Sequence, residues 1–414
     1  MMNSRERVNA AINHKEPDRV PIDLGGHRCS SISAMAYFRL KKYLGMQTGE
    51  IYIYELCQQL AIVEPEILDE FSCDIIDLGR GFYLDQAEWR PWYLQDGTSC
   101  KVLRYNNLEK RDEDWYILAD DGTPLGVKKE DMIYFDQIYY PFADPDGRRY
   151  DRLGEAFGRS MWTRTHTPPD MFRGNKERLG VLKNGAEKLR NSTDKAIHAW
   201  FGGCLHEMGQ FLFDPGIWFV MLASEKMEVH KFLEKLLESY MQELDDYLDA
   251  VENCIDIIGF SDDLGMQTGP QISKKMYEEF YKPRHVQMWK RVKERTDAKI
   301  MLHCCGGVYP LLPDFIEAGL DIINPVQVNC AGMDSGDLKR EFGKDLVFWG
   351  GGCDTQRVLP NGTTEDVEEE VKIRINDLAP GGGFVFSAVH NIQANVPVKN
   401  IVKMFETVRK FGKY

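Results

Sequence analysis

The sequence predicts an α/β protein folded as a (β/α)8 TIM barrel, with a β-rich segment inserted after the second strand. Eight short apolar runs recur along the chain, and helical patterns separate the later runs. Alternation of strands and helices implies parallel strands. Eight such units favour a closed barrel over an open sheet. The tripeptide Asp-Ile-Ile recurs at 74, 256 and 321, each time at a predicted strand.

The predicted strands are almost wholly apolar, as strands buried on both faces of a sheet are. Five of them cover 19–24, 73–78, 195–201, 254–260 and 298–303. The last three lie in the stretches GLDIINPVQ, DLVFWGGG and GGFVFSAV.

Helical periodicity is strongest over 226–251, where Phe232, Leu236, Tyr240, Leu244 and Leu248 recur at helical spacing. The stretch SKKMYEEFYKPRHVQMWKRVKERT is also helical in pattern, and its proline predicts a kink. Two further helices are predicted, in TTEDVEEEVKIRINDLAPGGG, which has start and stop signals, and in VKNIVKMFETVRKF.

Residues 82–150 interrupt this rhythm. They are rich in Tyr, Trp, Asp and Gly, and the turn signals QDGT, ADDGT and DPDGRR predict short hairpins. We expect a single barrel domain over 1–414 that carries this segment as an insertion. The insertion forms either a wall or lid over the site or a surface elaboration.

Composition excludes several classes of protein. A net charge of -14 disfavours binding to nucleic acid or to anionic lipid. No apolar stretch approaches the roughly 20 residues that span a bilayer. The polar start MMNSRERVNAAINHKEPDR does not resemble a signal peptide, so a cytoplasmic location is expected. The ten cysteines should then be reduced, and a cluster of them favours metal binding or reactivity.

In barrel enzymes the active site lies at the carboxyl ends of the strands, and several predicted strands end here in reactive side chains. We expect Asp263 and Glu207 to be catalytic carboxylates. For Asp262 and Asp263 a loop turn or a helix N-cap is an equally good interpretation. The residues expected to bind substrate are His27, Asp262, Asn324 and Gln327.

His303 and Cys305 form an H-x-C pair at the end of one predicted strand. Side chains two apart on an extended segment point the same way, so both can bind one metal, while Cys304 faces the opposite side. We expect zinc, with His390 as the third ligand. Cys353 is the rival third ligand, and Glu207 or Asp263 could add an oxygen. The alternative is that His303 and the thiols are ordinary core residues.

Phosphate-loop, dinucleotide-binding and serine-hydrolase motifs do not occur in the sequence. The chain instead resembles the uroporphyrinogen decarboxylase superfamily, which folds as a (β/α)8 barrel. The stretches that carry the resemblance are RERVNAAINHKEPDRVPIDLGG, FSDDLGMQTGPQIS, MYEEFYKPRH, LHCCGGVYPLLPDFIEAGLDIINPVQ, LVFWGGGCDTQ and FVFSAVHNIQANVPVKNI.

The resemblance points to two branches. The decarboxylases act without metal, bind substrate carboxylates with an R-Q-A-G-R-like segment, and use an Asp near the second strand. Here GGHRCSS supplies Arg28 without a second arginine, and Asp74 lies near the Asp position. The cobamide-dependent methyltransferases bind zinc through H-x-C-G, which His303, Cys305 and Gly306 match. Their last-strand ligand is typically Cys, where this chain has His390.

The methyltransferase branch implies methyl transfer between a small O-methyl substrate and a corrinoid. No D-x-H-x-x-G cobalamin signature occurs, so the corrinoid is expected on a partner protein. A metal-independent decarboxylase and a non-catalytic corrinoid- or metal-binding accessory protein are the alternatives. A homodimer would also be compatible. The rings expected either to wall an aromatic pocket or to form the insertion's own core are Trp89, Trp92, Trp115, Tyr134, Tyr139 and Tyr140.

Overall fold

The computed structural model describes residues 2–46, 49–81, 86–165 and 176–414. The strands are β1 (Ile51–Glu55), β2 (Leu60–Ala61), β3 (Ile75–Asp77), β4 (Trp89–Tyr93), β5 (Ser99–Leu103), β6 (Leu108–Arg111), β7 (Asp114–Leu118), β8 (Pro124–Lys128), β9 (Asp136–Gln137), β10 (Ala196–Gly202), β11 (Ile257–Ser261), β12 (Gly265–Met266), β13 (Gly269–Pro270), β14 (Lys299–His303), β15 (Ile322–Asn324), β16 (Val347–Trp349) and β17 (Phe384–Val385).

The helices are α1 (Ser4–Ile12), α2 (Ala34–Tyr43), α3 (Pro65–Glu70), α4 (Leu153–Phe157), α5 (Met161–Arg164), α6 (Lys176–Ser192), α7 (His206–Phe213), α8 (Pro215–Ser224), α9 (Lys226–Val251), α10 (Lys274–Met276), α11 (Lys282–Arg295), α12 (Leu312–Ala318), α13 (Ser335–Phe342), α14 (Val358–Asn361), α15 (Thr364–Leu378) and α16 (Val398–Phe411). No helix of these described ranges has both the length and the apolar content needed to cross a membrane.

A curled, parallel, seven-stranded sheet forms the centre of the fold. Its strand order is β17-β16-β15-β14-β11-β10-β3, and every neighbouring pair is parallel. These strands coincide with the last seven predicted runs. Each contributes at least one buried apolar side chain to a cluster that also contains Val8 and Ile12 of α1. The protein therefore has the mixed α/β, TIM-barrel-like architecture that the alternating pattern predicts.

The first predicted strand does not join the sheet as a strand. Ile22 makes only an isolated parallel bridge to Phe386. Asp23 N–H donates to Phe386 O at 2.8 Å, and Asp74 N–H donates to Ile22 O at 2.8 Å. Segment 21–23 is thus hydrogen-bonded to Phe386, which follows the outer strand β17, and to Asp74, which precedes the other outer strand, β3. It stays short because Pro21 has no N–H to donate to a ladder.

The predicted helices have identifiable local causes. Helix α9 covers the whole of the periodic stretch 226–251 and buries its apolar face. Helix α15 begins after Thr363, which forms a capping box with Asp366. The proline expected to kink a helix, Pro283, lies instead at the start of α11, directly after a π-helical turn over Tyr277–Tyr281. A proline in the first helical turn removes no hydrogen bond, so α11 continues undisturbed.

Two four-stranded sheets occupy much of residues 51–137; the first is mixed, because β1 and β5 are parallel, and the second is antiparallel. One four-stranded sheet has the order β2-β1-β5-β4, and a second has the order β6-β7-β8-β9. Strands β1 and β2 precede β3 in the chain, so part of this β structure lies outside the predicted insertion. Residues 82–85 of that insertion lie outside the described residues.

Candidate metal centre

His303 is the last residue of β14, and its ring is fixed by the neighbouring strand. Its Nδ1 atom lies 2.6 Å from Asn324 Oδ1. The Asn324 amide is oriented by a 3.0 Å bond from Nδ2 to Trp349 O, so Oδ1 must accept and His303 Nδ1 must donate. The lone pair of His303 is therefore on Nε2, the form that binds a metal ion.

Cys305 and Asp263 lie beside this free nitrogen. The Cys305 Sγ atom is 3.3 Å from His303 Nε2, and Asp263 Oδ1 is 3.9 Å from the same nitrogen. Asp263 Oδ1 also accepts the Cys305 N–H at 2.7 Å, which ties the two loops together. Ligand atoms of these three residues all lie within 4.8 Å of one another, close enough to share an ion. Burial raises the pKa of the Cys305 thiol.

A second group with the same histidine contains Cys29 and His390. One ligand atom from each of the three residues lies within 4.8 Å of the others. The His303 and His390 ring centroids are 5.4 Å apart. Burial, with a smaller contribution from His303, lowers the pKa of His390 to about 3, so its ring is in the neutral form that ligates metals.

Each of the other two predicted ligands, Cys305 and His390, thus lies near His303. The two belong to different groups, and neither group holds both. Sequence reasoning missed Cys29. The only available signal was its position in GGHRCSS, directly after the first predicted strand.

Cys353 and Cys304 belong to neither group. Cys353 is fully buried, and its thiol donates to Glu370 Oε2 at 3.3 Å. Cys304 is also fully buried and accepts the Leu264 N–H at 3.3 Å, in agreement with its predicted orientation into packing. Among the described residues, Cys353 belongs to no group of three or more side chains that could share an ion, so the rival ligand lacks support.

Glu207 lies in the first turn of α7 near the metal-binding groups. The start of this helix is held by Asp262, whose Oδ1 accepts from His206 N at 2.8 Å and from Glu207 N at 3.0 Å. Ser261 Oγ donates to Glu207 Oε2 at 2.7 Å. Burial, followed by the nearby charges of Asp263 and Asp262, raises the pKa of the Glu207 carboxyl well above its usual value. Glu207 is therefore more readily protonated than an exposed glutamate.

A cavity of about 500 Å³ opens over these residues. Cys29, Glu207, Asp263, His303 and His390 line it, whereas Cys305 does not. A metal held by these side chains would therefore face the cavity directly.

Apolar rings form the cavity wall. Trp162 and Phe211 stack with ring centroids 5.7 Å apart, and both line the cavity. Arg28 lies over the Trp200 ring at 5.3 Å and is the one cation among the described lining residues. The carboxyl side chains in the same lining are Asp263, Glu207 and Glu243.

The rings predicted to wall a pocket lie elsewhere. Trp89, Trp92, Trp115, Tyr134, Tyr139 and Tyr140 are absent from the described cavity lining. Trp92 packs edge-on against Trp115 at 5.5 Å, and Trp89 is 2% exposed against Tyr52. These rings form two separate pairs among the strands of the two four-stranded sheets. Segment 157–163 supplies the cavity wall instead.

Two of the predicted substrate-binding residues support backbone near the site. His27 is fully buried, and its Nδ1 accepts the Cys29 N–H at 3.3 Å. Gln327 Oε1 accepts the Gly306 N–H at 2.7 Å and fixes the turn after Cys305. The other two, Asp262 and Asn324, hold α7 and His303 as described above. None of the four lines the cavity.

Asp74, the ambiguous mark of the decarboxylase branch, lies at the opposite end of the sheet. It directly precedes β3, and it is fully buried. Its carboxylate oxygens pair with Arg7 at 2.8 Å and with Arg19 at 2.7 Å. Asp74 is therefore a buried ionic anchor at the amino-terminal end of a strand and does not face the cavity.

The donors around His303 fit zinc. Thiolate and imidazole are ligands that zinc prefers over magnesium or calcium, which take oxygen donors. A ligating histidine normally donates its other ring N–H to a supporting acceptor, and His303 does so to Asn324. The residues that would hold zinc are His303 with Cys305 and Asp263 on one side, and Cys29 and His390 on the other.

Comparison with known proteins gives one family match and similar solved structures. The family model described as uroporphyrinogen decarboxylase (URO-D) matches residues 210–411. A methyltransferase from Methanosarcina mazei has a similar structure, with a TM-score of 0.56 at 13% identity over 99% of both chains. A B12-independent methionine synthase from Shewanella sp. W3-18-1 gives a TM-score of 0.38 at 12% identity, over 83% of this chain and 85% of that one. No curated protein matches the chain. The first of the two structures shares the fold with this protein.

Proposed function

The chain belongs, through residues 210–411, to the uroporphyrinogen decarboxylase superfamily, and from this premise we propose that it is a zinc-dependent methyltransferase. It moves a methyl group between a small O-methyl (methoxylated) substrate and the corrinoid of a partner protein. The proposal includes a complete (β/α)8 barrel over 1–414, with 82–150 as an insertion, in the cytoplasm, where thiols stay reduced.

One observation carries the proposal. His303 turns an unprotonated Nε2 toward the Cys305 thiol at 3.3 Å, and His303 itself lines a cavity large enough for a small organic molecule. A decarboxylase of this superfamily needs no metal and gains nothing from such a donor set. A methyltransferase of the zinc-binding branch requires it.

The charge of the cavity also favours methyl transfer. A substrate with many carboxylates needs several cations in its pocket, because a buried anion is costly unless it is paired. The described lining has Arg28 as its cation against the carboxyl groups of Asp263, Glu207 and Glu243. This balance suits a neutral methyl compound.

Zinc, when bound, supplies a Lewis acid for the substrate oxygen, and the reduced corrinoid supplies the methyl acceptor. The chain provides the remaining chemistry. We assign Glu207 as the acid that protonates the departing oxygen once its methyl group has left, which balances the charge on that oxygen. Ser261 holds the Glu207 carboxyl in place at 2.7 Å. Asp263 orients Cys305 through the Cys305 N–H and is the oxygen ligand of the proposed metal set.

The experiment is a methyl-transfer assay with free reduced cobalamin as acceptor and isotope-labelled methyl ethers as donors. We expect transfer by wild type, loss in Cys305→Ala and retention in the matched control Cys353→Ala. Metal binding without any transfer would instead indicate an accessory protein. Release of CO2 from a porphyrinogen by metal-free protein would establish the decarboxylase.

A further inference from the structure

We infer that Cys29, in the loop after the first barrel segment, supplies a second thiolate to the metal held by His303. The inference rests on the proposed zinc centre and goes beyond it, because neither the H-x-C pair nor the last-strand ligand accounts for this cysteine. The metal would then have thiolates from Cys29 and Cys305, on two different loops.

The Cys29 thiol lies close to two candidate metal ligands. Ligand atoms of Cys29, His303 and His390 lie mutually within 4.8 Å, the same closeness found for Asp263, His303 and Cys305. Both groups share His303, and its Nδ1 is occupied by Asn324, so Nε2 is the nitrogen left for a metal in either group. Cys29, His303 and His390 all line the cavity.

The loop that carries Cys29 is hydrogen-bonded to the loop that carries His390. Ser31 N–H donates to Asn391 Oδ1 at 2.8 Å, and Ile392 N–H donates to Ser31 O at 2.9 Å. Asn391 directly follows His390 in the chain. The two loops are thereby bonded to each other directly after the two candidate ligands, Cys29 and His390.

Buried polar side chains also hold the backbone of Cys29 in place. Its N–H donates to His27 Nδ1 at 3.3 Å, so the His27 proton is on Nε2, which faces Asp23 Oδ2 at 3.5 Å. Asp23 Oδ2 in turn accepts from Trp349 Nε1 at 2.9 Å. His27, Asp23 and Trp349 are almost fully buried. A buried chain of polar contacts therefore fixes the backbone of Cys29, as outer contacts of metal ligands commonly do.

A cation of borderline softness fits these donors. Two thiolates with imidazole suit zinc or cobalt and disfavour magnesium and calcium. With His390 the proposed set contains two Cys and two His side chains, taken from the two groups that share His303. Catalytic zinc can expand to five ligands, so this set leaves one position, which Asp263 can occupy and give up to substrate.

The competing explanation is that Cys29 is a small buried apolar residue, since it is 7% exposed and belongs to the apolar cluster that includes Trp200. The two explanations differ in what a metal ion would report. A packing residue affects stability alone, whereas a ligand changes the electronic spectrum of a bound metal.

The test is absorption spectroscopy of the Co²⁺-substituted full chain, in which thiolate-to-cobalt charge-transfer bands report the number of thiolates. The variants are Cys29→Ser, Cys29→Ala, Cys305→Ser and the double variant, with Cys353→Ser as a matched buried-cysteine control. Circular dichroism checks that each is folded. Zinc affinity is measured in parallel by competition with a chromophoric chelator.

We expect the band to fall by roughly half in each single Cys29 or Cys305 variant, to vanish in the double variant and to stay unchanged in Cys353→Ser. Loss of an outer contact alone weakens metal binding about 10–100-fold, so loss of the Cys29 ligand should weaken zinc at least that much. A full band and unchanged zinc affinity in folded Cys29→Ala would overturn the inference while leaving the zinc centre intact. Absence of Co²⁺ and Zn²⁺ binding in wild type would overturn both.

Discussion

The His303 ring donates its Nδ1 proton to the Asn324 side-chain oxygen at 2.6 Å, and this contact determines which nitrogen faces the cavity. Asn324 is itself held by Trp349 O at 3.0 Å. Three neighbouring strands, β14, β15 and β16, thus cooperate to present one nitrogen lone pair. The chemistry assigned to the site depends on that orientation.

The Asn324 contact predicts a loss of metal affinity in Asn324→Ala. Without the acceptor, the His303 ring can rotate and its proton can move to Nε2. We expect zinc affinity to fall about 10–100-fold, as for other supporting contacts. Competition with a chelator measures the zinc affinity. The control is Asn329→Ala, which lies in the loop after β15 and belongs to neither metal-binding group. Equal affinity in Asn324→Ala and wild type would show that the contact does not orient the ligand.

Glu207→Gln is predicted to retain metal and to lose turnover. The amide preserves the shape of the side chain and cannot protonate a departing oxygen. General acid catalysis typically contributes roughly 10²–10⁴ in rate, so kcat should fall within that range. Glu243→Gln, a second carboxyl change in the cavity lining, is the control and should keep most of the activity. A Glu207→Gln enzyme with wild-type kcat would remove Glu207 from the mechanism.

Asp74→Asn separates the two branches of the superfamily. Asp74 is buried between Arg7 and Arg19 at the end of the sheet that lies away from the cavity. Removing one member of a buried ionic network leaves charges unpaired and costs about 3–5 kcal/mol of unfolding free energy. Urea denaturation measures that loss. The folded variant should bind zinc and transfer methyl groups normally. If Asp74 were catalytic, Asp74→Asn would lose activity even where it remains folded.

Asp23 gives a prediction about pH. Burial raises its pKa in the folded protein to about 6, against roughly 3.9 in an unfolded chain. Between these values the folded state binds more protons, so ionisation of Asp23 costs stability as pH rises. Asp23→Asn should therefore gain stability relative to wild type by about 3 kcal/mol between about pH 4 and about pH 7. Urea unfolding at several pH values tests this, with the exposed Asp112→Asn as control. A difference between Asp23→Asn and wild type that is independent of pH would contradict it.

Trp162→Ala tests where the substrate lies. Trp162 stacks with Phe211 in the cavity wall, whereas Trp115 packs against Trp92 among the strands of the two four-stranded sheets. An aromatic contact contributes about 0.5–1.5 kcal/mol, so KM for a methoxylated aromatic substrate should rise roughly two- to tenfold in Trp162→Ala. Trp115→Ala should leave KM unchanged. A raised KM in Trp115→Ala with an unchanged KM in Trp162→Ala would instead indicate that the substrate binds among the rings of the predicted insertion.

The strands of the sheet and the proximity of His303 and Cys305 in the candidate metal centre could be predicted because they depend on local pattern. Short apolar runs marked all seven strands of the sheet, and side-chain alternation placed His303 and Cys305 on one side with Cys304 on the other. The first run forms only a bridge, in which Pro21 O accepts the Phe386 N–H at 2.9 Å but Pro21 has no N–H to donate in return.

Partners that come from distant loops could not be predicted. Cys29 reaches His303 only because segments that are distant in the chain come together in the fold, which nothing near Cys29 in the sequence encodes. Asn324 and Gln327 were expected to contact substrate, since polar residues at strand ends often do. In the structure their acceptors face the His303 ring and the Gly306 N–H, and a sequence does not reveal which neighbour a side-chain amide will satisfy.

The most direct test of the zinc centre is metal content by mass spectrometry on full-length protein purified without added metal, for wild type, Cys305→Ala and His390→Ala. We predict about one zinc per chain in wild type and loss of zinc in both variants, as expected when direct ligands are removed. Zinc retained in His390→Ala and lost in Cys305→Ala would move the remaining ligand to Cys29 or Asp263. Wild-type protein that holds no metal, even after zinc is offered, would contradict the account.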